Sequence, residues 1–106
     1  MREFVDLNGA SGTLYRFRVW PEGGAHPPIA GNYIVLREDA SGGVKVLLAG
    51  ITSDLSQAAS ESRKALTKDA DARLYTRLNV ARAVRGAEHE DIVAAYNPAV
   101  LTAGER

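Results

Sequence analysis

The stretch from Gly31 to Leu55, GNYIVLREDASGGVKVLLAGITSDL, constrains the fold more than any other part of the chain. Gly31 to Arg37 is a β-branched and aromatic run, Glu38 to Gly43 is an acidic, glycine-rich turn, and Val44 to Ala49 is a second apolar run. Two such runs joined by a short Gly-containing link read as a β-hairpin. Gly50 to Ser53 then leads to Asp54-Leu55-Ser56-Gln57, which has the form of a capping box: Asp54 accepts from exposed amides and Gln57 reaches back. A helix over roughly 54–66 is expected, with Leu55, Ala58, Ala59, Ser62 and Leu66 forming a narrow stripe of small and apolar residues suited to packing on a sheet.

Upstream, Arg2 to Leu7 reads as a short edge strand. Thr13 to Trp20 is a clearer one, alternating Tyr15, Phe17 and Val19 against Arg16, Arg18 and Trp20. Pro21 ends that strand because it cannot donate to a ladder. The segment from Glu22 to Gly31 is then a loop containing His26. Downstream, Leu74 to Val80 alternates as another strand. Ala81 to Tyr96 reads as a final helix stopped by Asn97-Pro98, with His89 in line with Arg85, Ile92, Val93 and Tyr96, and the tail to Arg106 is expected to fray.

At 106 residues the chain is expected to be one domain over 1–106. The expected fold class is α+β, a small central antiparallel sheet of three to four strands flanked by helices. No apolar run approaches the ~20 residues of a membrane helix, and the N-terminus lacks the apolar core of a signal peptide. A cytoplasmic protein without a membrane partner is expected. Cysteine is absent, which removes disulfides, thiol nucleophiles and thiolate metal sites.

The formal charge of +0 argues against strong electrostatic binding to nucleic acid. Its distribution is uneven, because Ser62 to Gly86 holds seven basic residues against two acidic ones, a local excess of +5. Arg63, Lys64, Arg77, Arg82 and Arg85 are the candidate nucleic-acid-binding residues. The plainer account is a solvated surface balanced by acids elsewhere.

The two ends of the hairpin, GNY at 31–33 and LAG at 48–50, followed by ITSDL, resemble the paired half-motifs of the GIY-YIG nuclease superfamily. HEDIVAAYNP at 89–98 is similar to that family's last helix, so the resemblance covers about 31–101, with 1–30 as an N-terminal strand extension and loop. The resemblance implies a three-stranded antiparallel sheet between helices and a site at Tyr33, Leu48, Gly50, Ala58 and His89. In active members those positions carry a Tyr that activates the nucleophile, a second Tyr, a motif glycine, a phosphate-stabilising Arg and a cation-holding Glu. Only Tyr33 and Gly50 keep the expected type, and the family's Asn after the proline falls on Leu101.

Leu48 has no hydroxyl, Ala58 has no charge, and a lone imidazole is a poor Mg²⁺ ligand. The expectation is therefore a degenerate domain with no metal, no cofactor and no catalysis. It would act as a nucleic-acid or protein binding module, holding DNA weakly and in a salt-dependent way, or engaging another protein. Two alternatives stay open: a Mg²⁺- or Mn²⁺-dependent endonuclease with a rearranged site, and an interaction or scaffold domain with no nucleic-acid role. Tyr33 as a packed strand aromatic and His89 as a packed histidine are the plainer readings of those two side chains.

Overall fold

The hairpin forms as its sequence dictates. In the computed structural model, which describes residues 2–101, strand β3 (Gly31–Glu38) pairs antiparallel with β4 (Val44–Thr52). The turn is held by Asp39, whose carboxylate accepts from the Ser41 amide (3.0 Å), the Ser41 hydroxyl (2.6 Å) and the Gly43 amide (2.9 Å). Gly42 supplies the positive φ of +87° that the reversal needs. A bulge between Val35 and Leu36 shifts the register, so that Leu48 opposes Val35 while Val46 opposes Leu36.

Around this hairpin the sheet is larger than the three to four strands expected. Strands β1 (Phe4–Asn8), β2 (Leu14–Val19), β5 (Arg73–Leu78) and β6 (Ala99–Leu101) bring it to six, in the order β1-β2-β5-β3-β4-β6. β5 enters between β2 and β3, so the N-terminal extension joins the sheet through β5 and not through the hairpin. β6 is the departure at the other edge. After the last helix the chain runs parallel to β4, with Ala99 opposite Leu48, where a frayed tail was expected; residues 102–106 of that tail lie outside the described residues.

The strand alternation sends side chains to two layers. On one face Val5, Leu7, Tyr15, Phe17, Ile34, Leu36, Ala49 and Tyr75 pack with Ile92 of α3 (Arg82–Tyr96), each large side chain contributing about 1.5–3 kcal/mol by burial. Helix α3 ends where Asn97 adopts the left-handed conformation (φ 48°) and its amide closes on the Val93 carbonyl at 2.8 Å. On the opposite face Tyr33, Val35, Leu48 and Leu74 pack against Leu55 and Ala58.

The single helix expected over 54–66 is broken. A 3-10 turn (Leu55–Gln57) is followed by α1 (Ala58–Glu61) and α2 (Arg63–Lys68), separated at Ser62. Asp54 does cap the start, but through Ser56, whose amide (3.0 Å) and hydroxyl (2.6 Å) both donate to its carboxylate. These short pieces cover only the hairpin half of their face. Phe4, Leu14 and Leu78, which point the same way from β1, β2 and β5, are 43%, 61% and 59% exposed.

Candidate functional site

Tyr33 lies at the centre of the covered half. It sits opposite Gly50 in the ladder, and its ring lies flat against that glycine: a Cβ on Gly50 would fall 2.3 Å from Cζ and 2.5 Å from the hydroxyl oxygen. Gly50 is thus required by close approach rather than by backbone angle. Leu48, two residues back along β4, and Ala58 of α1 share the same cluster. Tyr33, Leu48 and Ala58 therefore lie in one cluster, with Gly50 against the Tyr33 ring.

His89 does not join them. It lies on α3 in a buried stripe with Arg85 and Ile92, and Ile92 packs on the opposite sheet face with Ile34. Successive side chains of a strand point to opposite faces, so the sheet itself separates His89 from Tyr33. Burial holds the His89 imidazole below its ordinary pKa, with Glu90 opposing the shift. His26 is also apart from His89. Its ring stacks on Trp20 at 5.3 Å and shares a hydrogen bond with the Thr76 hydroxyl at 3.0 Å. Among the described residues no three His, Cys, Asp or Glu side chains converge as a metal cluster.

The polar group whose charge bears on Tyr33 is one that no motif or spacing singled out. Glu61 ends α1, and its charge reaches the Tyr33 hydroxyl. Tyr33 is 0% exposed, and burial first, then Glu61, raises its phenol far above the usual range. Glu61 is raised in turn by burial and by the neighbouring Asp54 carboxylate. The Tyr33 hydroxyl, Glu61 Oε1 and the hydroxyl of Ser62 are all buried without a hydrogen-bond partner among the described residues. Glu61 carries no motif or spacing that would single it out, and only the fold brings it to the Tyr33 side of the sheet.

Glu61 also lines a groove of about 580 Å³ between β4, β6 and α2. Its floor is Leu47, Leu48, Ala65, Ala99 and Val100; Lys45, Lys64 and Lys68 line it as well, beside Arg37, which pairs with Asp69 at 3.0 Å. Among the described residues no ion pair involves those three lysines. Arg63 adjoins them on α2. The remaining basic candidates lie elsewhere. Arg77 pairs with Glu88 of α3 at 2.9 Å, Arg85 is buried and donates to the Val80 carbonyl at 2.9 Å, and Arg82 opens α3. The +5 block of the sequence is thus divided between the two faces.

No protein-family model, curated protein or solved structure matches the chain.

Proposed function

We propose that the chain is a GIY-YIG-like domain that does not cleave and that binds nucleic acid weakly along the groove between α2 and β4. The observation that carries this reading is the lysine-lined groove on the same sheet face as Tyr33. Lys45, Lys64, Lys68 and the adjoining Arg63 offer cations to successive phosphates, while the apolar floor offers no base-reading donors. Cleavage is disfavoured by Tyr33. A hydroxyl with no solvent exposure cannot reach a scissile phosphate, and a phenol raised far above its usual range does not deprotonate to act as a base. Ala58 stands where the resemblance places the phosphate-stabilising Arg, and it carries no charge.

The test is retention of labelled single- and double-stranded DNA at 50 mM salt, with plasmid nicking assayed in parallel with Mg²⁺ and Mn²⁺. Retention without nicking is expected, and the paired change Lys64→Glu and Lys68→Glu abolishes it while Arg82→Glu leaves it in place. Divalent-dependent nicking that Tyr33→Phe removes would instead establish the rearranged nuclease. A second reading, a protein-binding domain, is favoured by exposed Phe4, Leu14 and Leu78 on the uncovered half of the sheet. Absence of any DNA retention, with partner binding lost on Leu14→Asp, would select it.

A further inference from the structure

We propose that the groove between β4, β6 and α2 binds a free, single-chain alkyl carboxylate, its chain on the leucine floor and its head among the lysines. The floor is the first observation. The bulge between Val35 and Leu36 leaves Leu47 out of the β3–β4 pairing and breaks the alternation of β4 there: Val46 and Ala49 pack on the α3 side, while Leu47 and Leu48 both pack with the Tyr33 cluster. Two consecutive leucines therefore turn to the side that α2 covers. Ala65 of α2 and Ala99 and Val100 of β6 continue the apolar lining, with Val100 46% exposed. β6 pairs with Leu48, Ala49 and Gly50, so the Val44–Leu47 end of β4 lies beyond its ladder.

Cations border that floor. Lys64 and Lys68 stand one turn apart on α2, where residues four apart share a face, and Lys45 approaches from β4; all three line the same groove. Lysine stems lie along apolar surface and keep the ammonium in water, which extends such a floor and rims it with charge. The two carboxylates of the groove do not cancel them. Asp69 is held by Arg37 at 3.0 Å, and among the described residues no ion pair joins Glu61 to a lysine. This combination selects the ligand class. An inorganic anion uses the lysines and leaves the floor wet, a neutral hydrocarbon does the reverse, and a cationic amphiphile meets the lysines with its own charge. An alkyl chain ending in a carboxylate answers both parts, and a volume of about 580 Å³ falls within the ~300–1,000 Å³ of small-molecule sites. The floor is the part that the nucleic-acid reading leaves unused, so this inference shares the groove with that reading without resting on it.

The test is isothermal titration calorimetry of the full chain with octanoate, decanoate and dodecanoate, each below its micelle concentration. Affinity should rise about two- to fourfold for each added methylene, the upper figure corresponding to full burial. The paired change Lys64→Glu and Lys68→Glu should weaken dodecanoate by about tenfold, and Leu47→Ser should flatten the dependence on chain length. If Leu47→Ser does not fold, the chain-length series in the wild type decides by itself. Decyltrimethylammonium, which has the chain and the opposite charge, should not bind. Heat seen only above the micelle concentration, an affinity that ignores chain length, or equal binding of the cationic amphiphile overturns the proposal. DNA retention is scored separately. A chain that retains DNA and ignores dodecanoate loses this inference and keeps the nucleic-acid reading, and one that binds dodecanoate without retaining DNA does the reverse.

Discussion

Gly50 has no room for a side chain, since the methyl of an alanine would overlap the ring and hydroxyl of Tyr33. Neither partner can yield easily, because Tyr33 is enclosed by Leu55, Ala58 and the sheet. Gly50→Ala should therefore destabilise by about 1–3 kcal/mol, the usual cost of overpacking, and a denaturant titration at constant m-value would measure it. An unchanged midpoint would mean that the ring is not held against β4. His89 makes a second test at this scale. Burial lowers its folded-state pKa, so the folded chain binds fewer protons than the unfolded one near that value. Its contribution is present above the unfolded value of about 6.5 and is lost as pH falls through the folded value. Stability should thus drop on acidification below neutrality, and in His89→Gln that part of the slope should disappear. A pH series of unfolding midpoints for the two chains gives the comparison.

At the scale of elements, α3 is tied to the sheet by a polar network as well as by Ile92. Asn32 on β3 donates to the Arg85 carbonyl at 3.0 Å and accepts from the Asn79 amide at 3.0 Å, while Asn79 and Arg77 both donate to Glu88. Asn32→Ala leaves buried groups unpaired and should cost about 1–3 kcal/mol. Hydrogen exchange should show it as lost protection in the first turns of α3, with β1 and β2 little affected. The elements themselves were largely legible: hairpin, β2, β5 and α3 fall close to the bounds that their alternation and punctuation suggest. Partner choice was not. Alternation says which residues share a face but not which strand lies alongside, so nothing in the Leu74 to Val80 pattern announced that β5 would separate β2 from β3. β6 was illegible for a simpler reason, since a strand of three residues after a proline carries no periodicity. The same limit explains the candidate site. Tyr33, Leu48, Gly50, Ala58 and His89 were grouped by the family resemblance; the first four sit on elements adjacent in sequence, whereas placing His89 needed knowledge of which face α3 covers, and Glu61 needed the break at Ser62.

For the whole molecule, the sheet acts as a partition between two charged surfaces. Arg63, Lys64, Lys68 and Lys45 lie on the α2 side, and Arg77, Arg82 and Arg85 belong with α3, so a net charge of zero conceals one lysine-rich flank. If that flank binds nucleic acid as proposed, it alone would engage about three or four phosphates. With a slope near −0.9 for each contact on duplex DNA, log K against log salt should fall with a slope of roughly −3. A slope near zero would remove the phosphate contacts, and one much steeper would require the α3 side as well. Filter retention over a range of salt concentrations decides between them.

Trp20 is the single tryptophan of the chain, and it follows directly on β2, half-buried, stacked on His26 and packed against the cluster that holds Tyr33. Its indole is thereby a built-in optical reporter for the β2–β5 half of the molecule, with no competing indole to confuse the signal. Emission that shifts early in an unfolding ramp, before α3 loses its circular dichroism, would mean that the face opposite α3 opens first.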